Sequence, residues 1–374
     1  MKITLQTKKL IKVLGTISIN AMKKNIVPIH SYVYLEVVDN KFIGTTTNEE
    51  SQVSQFFTID EPVEFQACID CLAFSTLVKS LAKIEEVSLT IKERKNGSRY
   101  MFIKYGRGSS KIDCINPKEF IKMDYGEPKD SITIVGDEFF EKVKTASMCV
   151  DSKDIRPEFA AISVKAENGR GLVTGFRAAC GTRQEFEVSD GDMSEIFIPK
   201  TVCALLDSSI MSGDTEISIT DKRMRVRNGS FEMTSILSVA KPLNLDRIYQ
   251  SRAEEEYILD REMLLESCSR LHAFTETAEN LIILSFAGAE LIIEVDDVDR
   301  GRSGEETVPV TSATGGELVI GINARFLVDA LRTIDSKHVK MNAVRPDMPL
   351  FLSEDSGVKQ DWCFGPVLTN KTSL

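Results

Sequence analysis

The side chains in this sequence best suited to chemistry are eight cysteines and three histidines. Cys68 and Cys71 form a C-x-x-C pair, a spacing found in zinc sites and in dithiol redox centres. A zinc site wants two more ligands at similar spacing, and none follow. A redox pair opens a helix beside a βαβ unit, whereas Cys68 closes a strand-like run. The pair therefore reads as reduced packing residues, and so do Cys114, Cys149, Cys180, Cys203, Cys268 and Cys363. His30, His272 and His338 are far apart in sequence, and no nucleophile or carboxylate pattern joins them into a catalytic set. The acidic run "EVDDVD" (294–299) lacks the glycine and terminal glutamate of a calcium loop and reads as a solvated turn. "YGRGSSK" (105–111) is glycine-rich and basic, but strand-like runs flank it, which makes it a hairpin turn. No G-x-x-x-x-G-K-[ST] loop and no G-x-G-x-x-G after a strand occurs. The expectation is a protein without catalytic residues, metal or cofactor.

The elements are more informative than the reactive residues. The chain has 374 residues, enough for two to four domains, and is 42% hydrophobic and 27% charged. Its net charge of −10 argues against a surface coated for nucleic acid, though not against a local basic face. The start, "MKITLQTKKL", lacks the apolar core of a signal peptide, and no apolar run approaches a membrane span. A cytoplasmic protein is expected.

The sequence repeats itself. "IDCLAFSTLVKSL" (69–81), "IPKTVCALLDSSI" (198–210) and "INARFLVDALRTI" (322–334) share apolar residues at offsets 4, 5, 8 and 12, one face of a helix. Asp70, Pro199 and Asn323 stand at the helix start, as suits them. A second trio, "ITLQTKKLIKVL" (3–14), "ITIVGDEFFEKV" (132–143) and "YILDREMLLESC" (257–268), reads as strand, turn and helix. Both trios are spaced by 129 and then 124 residues, and 64 residues separate the two anchors in each repeat. The chain is thus three units, each of two strand–helix halves. "VSLTI", "EISI" and "HVKM" follow the second helices as strands, with "LVIGI" and "LIIEV" as further strands. "RMRVRNGSFEMTSIL" (223–237) is a hairpin around Asn228-Gly229. The expected fold class is α+β, two helices against antiparallel sheet in each of three domains. Boundaries fall at "YGEPKDS" and "YQSRAEEEY", giving 1–125, 126–250 and 251–374. The helix segments are also less acidic than the rest of the chain; the first carries Lys8, Lys9 and Lys12 and no acid, a bias suited to facing an anion.

The ordered set of local sequences resembles the bacterial sliding-clamp family, the β subunit of DNA polymerase III. The likeness runs from "MKITL…KLIKVLGTIS" through "VPIHSYVYLEV" and "IGTTTNEE" to "DIRPEFAAISV" and "VTGFRAAC". It implies three clamp-type domains per chain and a head-to-tail homodimer whose six domains close a ring around duplex DNA. The ring would tether the polymerase while it slides, touching DNA only through weak, sequence-independent phosphate contacts. By the same resemblance Lys12, Lys79, Lys142, Lys200 and Arg332 would face DNA. Lys24 matches an arginine of an N-terminal loop, and Arg156 one in the loop before a second-domain strand. An apolar pocket for a short peptide would involve Phe159, Thr174, Gly175, Phe176, Arg177, Ala178, Pro242, Arg247, Ile248, Pro366 and Val367. Its users would be the polymerase catalytic subunit, the clamp loader and other clamp-motif proteins.

Ring closure in the family pairs a first-domain edge strand with a third-domain one. The matching segments are "FIKYGR" (102–107) and "GEETVPV" (304–310), placing Lys104 and Arg107 opposite Glu305 and Glu306. The sequence departs from the family where "TGFRAA" loses a residue and a histidine, where Pro157-Glu158 replaces a tyrosine pair, and at the polar end "GPVLTNKTSL". A preference for a different peptide follows. The alternative reading is a repeat-built interaction scaffold that does not encircle DNA.

Overall fold

The computed structural model describes residues 1–21, 27–60, 63–206, 211–275, 280–297, 300–355 and 360–369. Six times a strand runs directly into a helix. The pairs are Lys2–Gln6 with Thr7–Ile17, Gln66–Asp70 with Cys71–Ser80, and Asp130–Val135 with Gly136–Ser147. They continue with Met193–Pro199 and Lys200–Cys203, Glu256–Asp260 and Arg261–His272, and Leu318–Asn323 and Ala324–Thr333. All six joints fall where the sequence repeat puts them. At three of them the last strand residue caps the helix: Asp70 accepts from the Ala73 N–H at 2.6 Å, Asp260 from Met263 at 3.0 Å and Asn323 from Phe326 at 3.4 Å. Each cap satisfies an orphan donor of the first turn and contributes about 1 kcal/mol.

Two expectations are corrected. The fourth helix was to fill 198–210, but Lys200–Cys203 is a single turn, and 207–210 lie outside the described residues. Thr201 and Val202, both β-branched, make poor helix interior, and the chain turns at Ala204. The acidic run at 294–299 is not a solvated turn. Its first four residues complete strand Glu290–Asp297, where Asp297 points inward and is only 4% exposed. Residues 298 and 299 lie outside the described residues.

The backbone forms two compact units, one of residues 1–137, 189–193 and 204–237, the other of 138–188, 194–203 and 238–374. In the first, antiparallel pairing runs without a break from Lys2–Gln6 through Glu86–Glu93, Arg99–Tyr105 and Gly108–Ile115 to Gln66–Asp70. It goes on through Tyr32–Val38, Lys41–Thr47 and Ser51–Thr58, then Phe231–Ile236, Arg223–Asn228, Asp214–Ile219 and Asp130–Val135. Helix Thr7–Ile17 buries Leu10, Val13, Leu14 and Ile17. It lies close enough to strand Lys41–Thr47 that a Cβ at Gly44 would be 2.7 Å from Ile17.

In the second unit the pairing runs from Ala161–Glu167 through Arg170–Arg177, the Cys180–Asp190 strand and Gln360–Phe364 to Leu350–Glu354 and His338–Asn342. Glu256–Asp260, Arg302–Ala313, Glu290–Asp297, Leu281–Ala287 and Leu318–Asn323 complete it. Its core joins Leu264, Cys268 and Leu271 of one helix to Phe326, Leu327 and Leu331 of another, over Trp362 and Phe364 of the sheet. Each such side chain contributes about 1.5–3 kcal/mol by leaving water. Both sequence hairpins are present. Gly106-Arg107 links Arg99–Tyr105 to Gly108–Ile115, and Gly229-Ser230 closes the second, with Gly229 at φ 53°.

Candidate nucleic-acid interface and partner surface

The helices have one apolar and one wet face, so their exposed cations are fixed by which positions the core claims. In the first unit Lys12 is exposed opposite Leu10, Val13 and Leu14, and Lys79 is exposed in the last turn of Cys71–Ser80. A cation there complements the helix dipole. Helices Thr7–Ile17 and Cys71–Ser80 pack against each other, so both lysines sit on one helical layer. Lys24 lies outside the described residues.

In the second unit, Arg332 is exposed with its guanidinium 3.8 Å from Asp329, and Lys142 is half-buried. Two expected cations are held more tightly within the chain. The Lys200 ammonium donates to the Val150 carbonyl at 2.6 Å. Arg156 donates through two nitrogens to Asp154, at 3.0 and 2.9 Å, and stacks over Phe159 at 4.2 Å. Those hydrogen bonds hold the Asp154 carboxyl down to about 2. Lys12, Lys79 and Arg332 are therefore the better presented charges.

The expected peptide residues gather around one hairpin. Strand Arg170–Arg177 turns into Cys180–Asp190, and its alternate residues serve opposite faces. Gly171, Val173 and Gly175 are turned inward; Leu172, Thr174 and Phe176 line a cleft of about 100 Å³ with Ala161, Phe197 and Leu245. Ser163 and Glu195, joined at 2.5 Å, and Arg183 with Asp246, also 2.5 Å apart, supply its polar rim. Thr174 and Phe176 are the expected residues that line this cleft. Phe159 stands beside it, its ring 6.1 Å from that of Phe176. Arg177 lies over the Phe326 ring at 4.1 Å. Ala178, exposed in the turn, backs onto Gly365, so Pro366 and Val367 follow directly, and the Val367 N–H donates to Gly321 at 2.7 Å. Pro242 and Arg247 are exposed and Ile248 half-buried, next in sequence to the cleft residues Leu243, Leu245 and Asp246. The polar groups Arg183, Glu195 and Asp246 were not anticipated from sequence; the alternation of strand 170–177 was the signal that could have pointed to the face they share.

The expected edge strand is misplaced by one. Arg99–Tyr105, which carries Lys104, is hydrogen-bonded on both sides, to Glu86–Glu93 and Gly108–Ile115. Arg107 is in the turn. The open edge belongs to Gly108–Ile115, whose second neighbour meets it only at Cys114 and Ile115. On the other strand the expectation of an edge holds: from Arg302 to Pro309 it pairs on one side, with Glu290–Asp297. Its Val310 N–H donates inward to Ala289, so by alternation the nitrogens of Ser303, Glu305, Thr307 and Pro309 face the open side. Proline costs no ladder bond in that position. Glu305 is exposed, but Glu306 is engaged within the chain by Arg270 at 2.7 Å, a hydrogen bond that lowers the Glu306 carboxyl.

The C-x-x-C thiols are both buried, Cys68 in a strand and Cys71 at the start of a helix, and burial pushes each up to about 12. Neither is a nucleophile at neutral pH. His30 lies in the short 3₁₀ turn Pro28–Ser31, His272 ends a helix and bonds Thr275 at 2.8 Å, and His338 opens a strand. Among the described residues, no helix is long and apolar enough to cross a membrane.

Solved structures share the whole architecture. The crystal structure of the DNA polymerase III subunit beta from Pseudomonas aeruginosa matches with a TM-score of 0.90 at 18% identity, covering 99% of this chain and 100% of that one. A sliding clamp from Bartonella birtlesii bound to griselimycin matches with a TM-score of 0.90 at 17% identity and the same coverage. These likenesses define the β-clamp fold. In sequence, the beta sliding clamp of P. aeruginosa is 21% identical over 345 residues, 91% of this chain and 92% of the relative. That of Rickettsia bellii is 21% identical over 386 residues, 98% and 99%. The profile described as DNA polymerase III beta subunit, N-terminal domain matches residues 1–124, and that of the C-terminal domain matches 247–362. The chain belongs to the DNA polymerase III beta subunit family, the non-catalytic sliding clamps that act as processivity factors.

Proposed function

We propose that two copies of this chain close head to tail into a ring around duplex DNA, each supplying three clamp domains, 1–125, 126–250 and 251–374. The ring slides in the cytoplasm and tethers the polymerase catalytic subunit, the clamp loader and other clamp-motif proteins. The sixfold strand-into-helix repeat carries this reading: half a ring per chain, with Lys12, Lys79 and Arg332 on wet helix faces toward phosphate. Lys24, Lys142, Arg156 and Lys200 are secondary contributors. Partner peptides lie along the Phe159, Thr174–Ala178, Pro242, Arg247, Ile248 and Pro366–Val367 surface, burying apolar anchors there. The test is topological. Protein loaded on nicked circular DNA is expected to stay through gel filtration and to leave once the circle is cut. Equal retention on both forms would favour a scaffold or simple electrostatic adhesion.

The ring would close by pairing the open side of Gly108–Ile115 with that of Arg302–Pro309, where Lys111 and Arg107 face Glu305. Thr307→Pro removes an outward N–H at the centre of that pairing. It should weaken the dimer at least tenfold, about 1.4 kcal/mol, by analytical ultracentrifugation. Glu306→Gln, whose partner is Arg270, should leave association unchanged. An unaltered Thr307→Pro dimer would place the contact elsewhere.

A further inference from the structure

Two buried thiols lie beside the hairpin of the partner surface. Cys149 follows helix Gly136–Ser147, its N–H donating to Ala146 at 3.0 Å. Cys180 opens strand Cys180–Asp190 directly opposite Arg177. Both are at most 1% exposed, and their sulfurs are in hydrogen-bond contact at 3.1 Å. They are 31 residues apart in sequence, so nothing local forces the approach. No other pair of sulfurs among the described residues is in such contact. A disulfide has its sulfurs about 2 Å apart, so closure asks roughly 1 Å of movement from two adjoining backbone segments.

We propose that Cys149 and Cys180 are an oxidisable dithiol, converted by a peroxide to a disulfide that ties the end of helix Gly136–Ser147 to the hairpin carrying Phe176, Arg177 and Ala178. The Cys180 thiolate attacks one peroxide oxygen; an S–O bond forms, the O–O bond breaks, and hydroxide leaves and is protonated to water. The Cys149 sulfur then attacks the Cys180 sulfenic acid; the S–S bond forms, the S–O bond breaks, and the Cys149 proton leaves with the hydroxyl as a second water. Both sulfurs are oxidised, and one peroxide is reduced to two waters. The environment assigns the roles. Burial works to raise the Cys180 thiol, but the Cys149 hydrogen bond and the Arg177 charge outweigh it and lower it; Cys149 is raised, chiefly by burial. Cys180 is thus the attacking thiolate and Cys149 the resolving thiol.

The consequence for partner binding rests on the peptide-surface reading above. Arg177 is held over the Phe326 ring and Ala178 against Gly365, so a tether at Cys180 restrains the residues that would meet a peptide. The experiment treats the folded, full-length protein with hydrogen peroxide, blocks the remaining thiols and maps peptides by mass spectrometry. One linked pair is expected, Cys149 with Cys180, formed ahead of any other and reversed by a thiol reductant. Cys149→Ser should remove it, leaving Cys180 trapped as sulfenic acid by a dimedone probe. Both cysteines remaining alkylatable, or Cys180 linking instead to Cys363 on the adjacent strand, would overturn the proposal. In the same samples, a clamp-motif peptide should bind the oxidised and reduced forms with affinities at least threefold apart, a difference absent in Cys149→Ser. If the disulfide forms and the peptide binds neither form, the dithiol stands and the peptide surface falls.

Discussion

Replacing Gly175 by alanine is expected to cost about 3 kcal/mol of stability, the upper end of what overpacking usually costs. A Cβ at Gly175 would be 2.0 Å from the Ala146 carbonyl oxygen and 2.8 Å from its carbon. These are backbone atoms near the end of helix Gly136–Ser147, so no rotamer change can relieve the overlap. Either the helix end retreats or strand Arg170–Arg177 lifts away, taking Thr174 and Phe176 with it. The close approach has a purpose in the site. With one strand face laid against the helix end, the residues of the other face stand out together toward the cleft. Urea unfolding followed by the fluorescence of Trp362, the sole tryptophan, reads this unit directly. The midpoint should fall by about 1 M or more. Gly316→Ala is the control: it is exposed, with nothing within 4 Å of its added carbon, and should change little. An unshifted Gly175→Ala midpoint would mean that the helix end yields freely.

That glycine shows where sequence reading stops. Its place in "VTGFRAAC" marked it as part of a candidate surface, but nothing local announces that a helix end thirty residues earlier lies on it. The helices were legible because their information is local. Apolar residues at offsets 4, 5, 8 and 12 define a buried face, and Asp70, Asp260 and Asn323 cap helices a few residues away. The exposed cations Lys12, Lys79 and Arg332 follow from the same periodicity. Lys200 and Arg156 do not, because their fates depend on Val150 and on a side-chain fork to Asp154.

Sheet order was legible only in part. Strands 99–105 and 108–115 alternate alike, and a hairpin does not state which arm lies outside. That is decided by pairing with Glu86–Glu93, and it moved the open edge from Lys104 to the next strand. The same long-range pairing cuts across the sequence repeat. Ser51–Thr58 pairs with Phe231–Ile236, and Cys180–Asp190 with Gln360–Phe364, so the middle repeat is shared between the two compact units. Repeats record duplicated local structure, whereas compactness follows the sheets, which continue past the repeat boundaries.

The second large effect is expected at a largely buried ion pair. Arg252 donates to Asp361, with side chains 24% and 11% exposed, and its guanidinium lies over Phe351 at 4.9 Å. Arg252→Met keeps much of the stem's packing but removes the charge, leaving a buried carboxylate without its main partner. Such a break costs about 3–5 kcal/mol at neutral pH. The pH dependence separates this from lost packing. Burial raises the Asp361 carboxyl above its ordinary value even with Arg252, Arg183 and the backbone opposing it. A group raised on folding binds its proton more tightly in the native state, so its contribution to stability falls as pH rises from the unfolded value through the folded one. Without Arg252 the carboxyl rises further, and the fall becomes steeper and extends to higher pH. The deficit of Arg252→Met should therefore be largest near neutrality and shrink on acidification, vanishing below the ordinary aspartate value, by about pH 3, where Asp361 is protonated in both states. Arg252→Met combined with Asp361→Leu should recover most of the loss, because no unpaired charge remains buried. Urea midpoints from neutral to acid pH decide the matter. A deficit that stayed constant with pH, or grew toward acid, would assign the loss to the Phe351 contact rather than to an unpaired Asp361 charge.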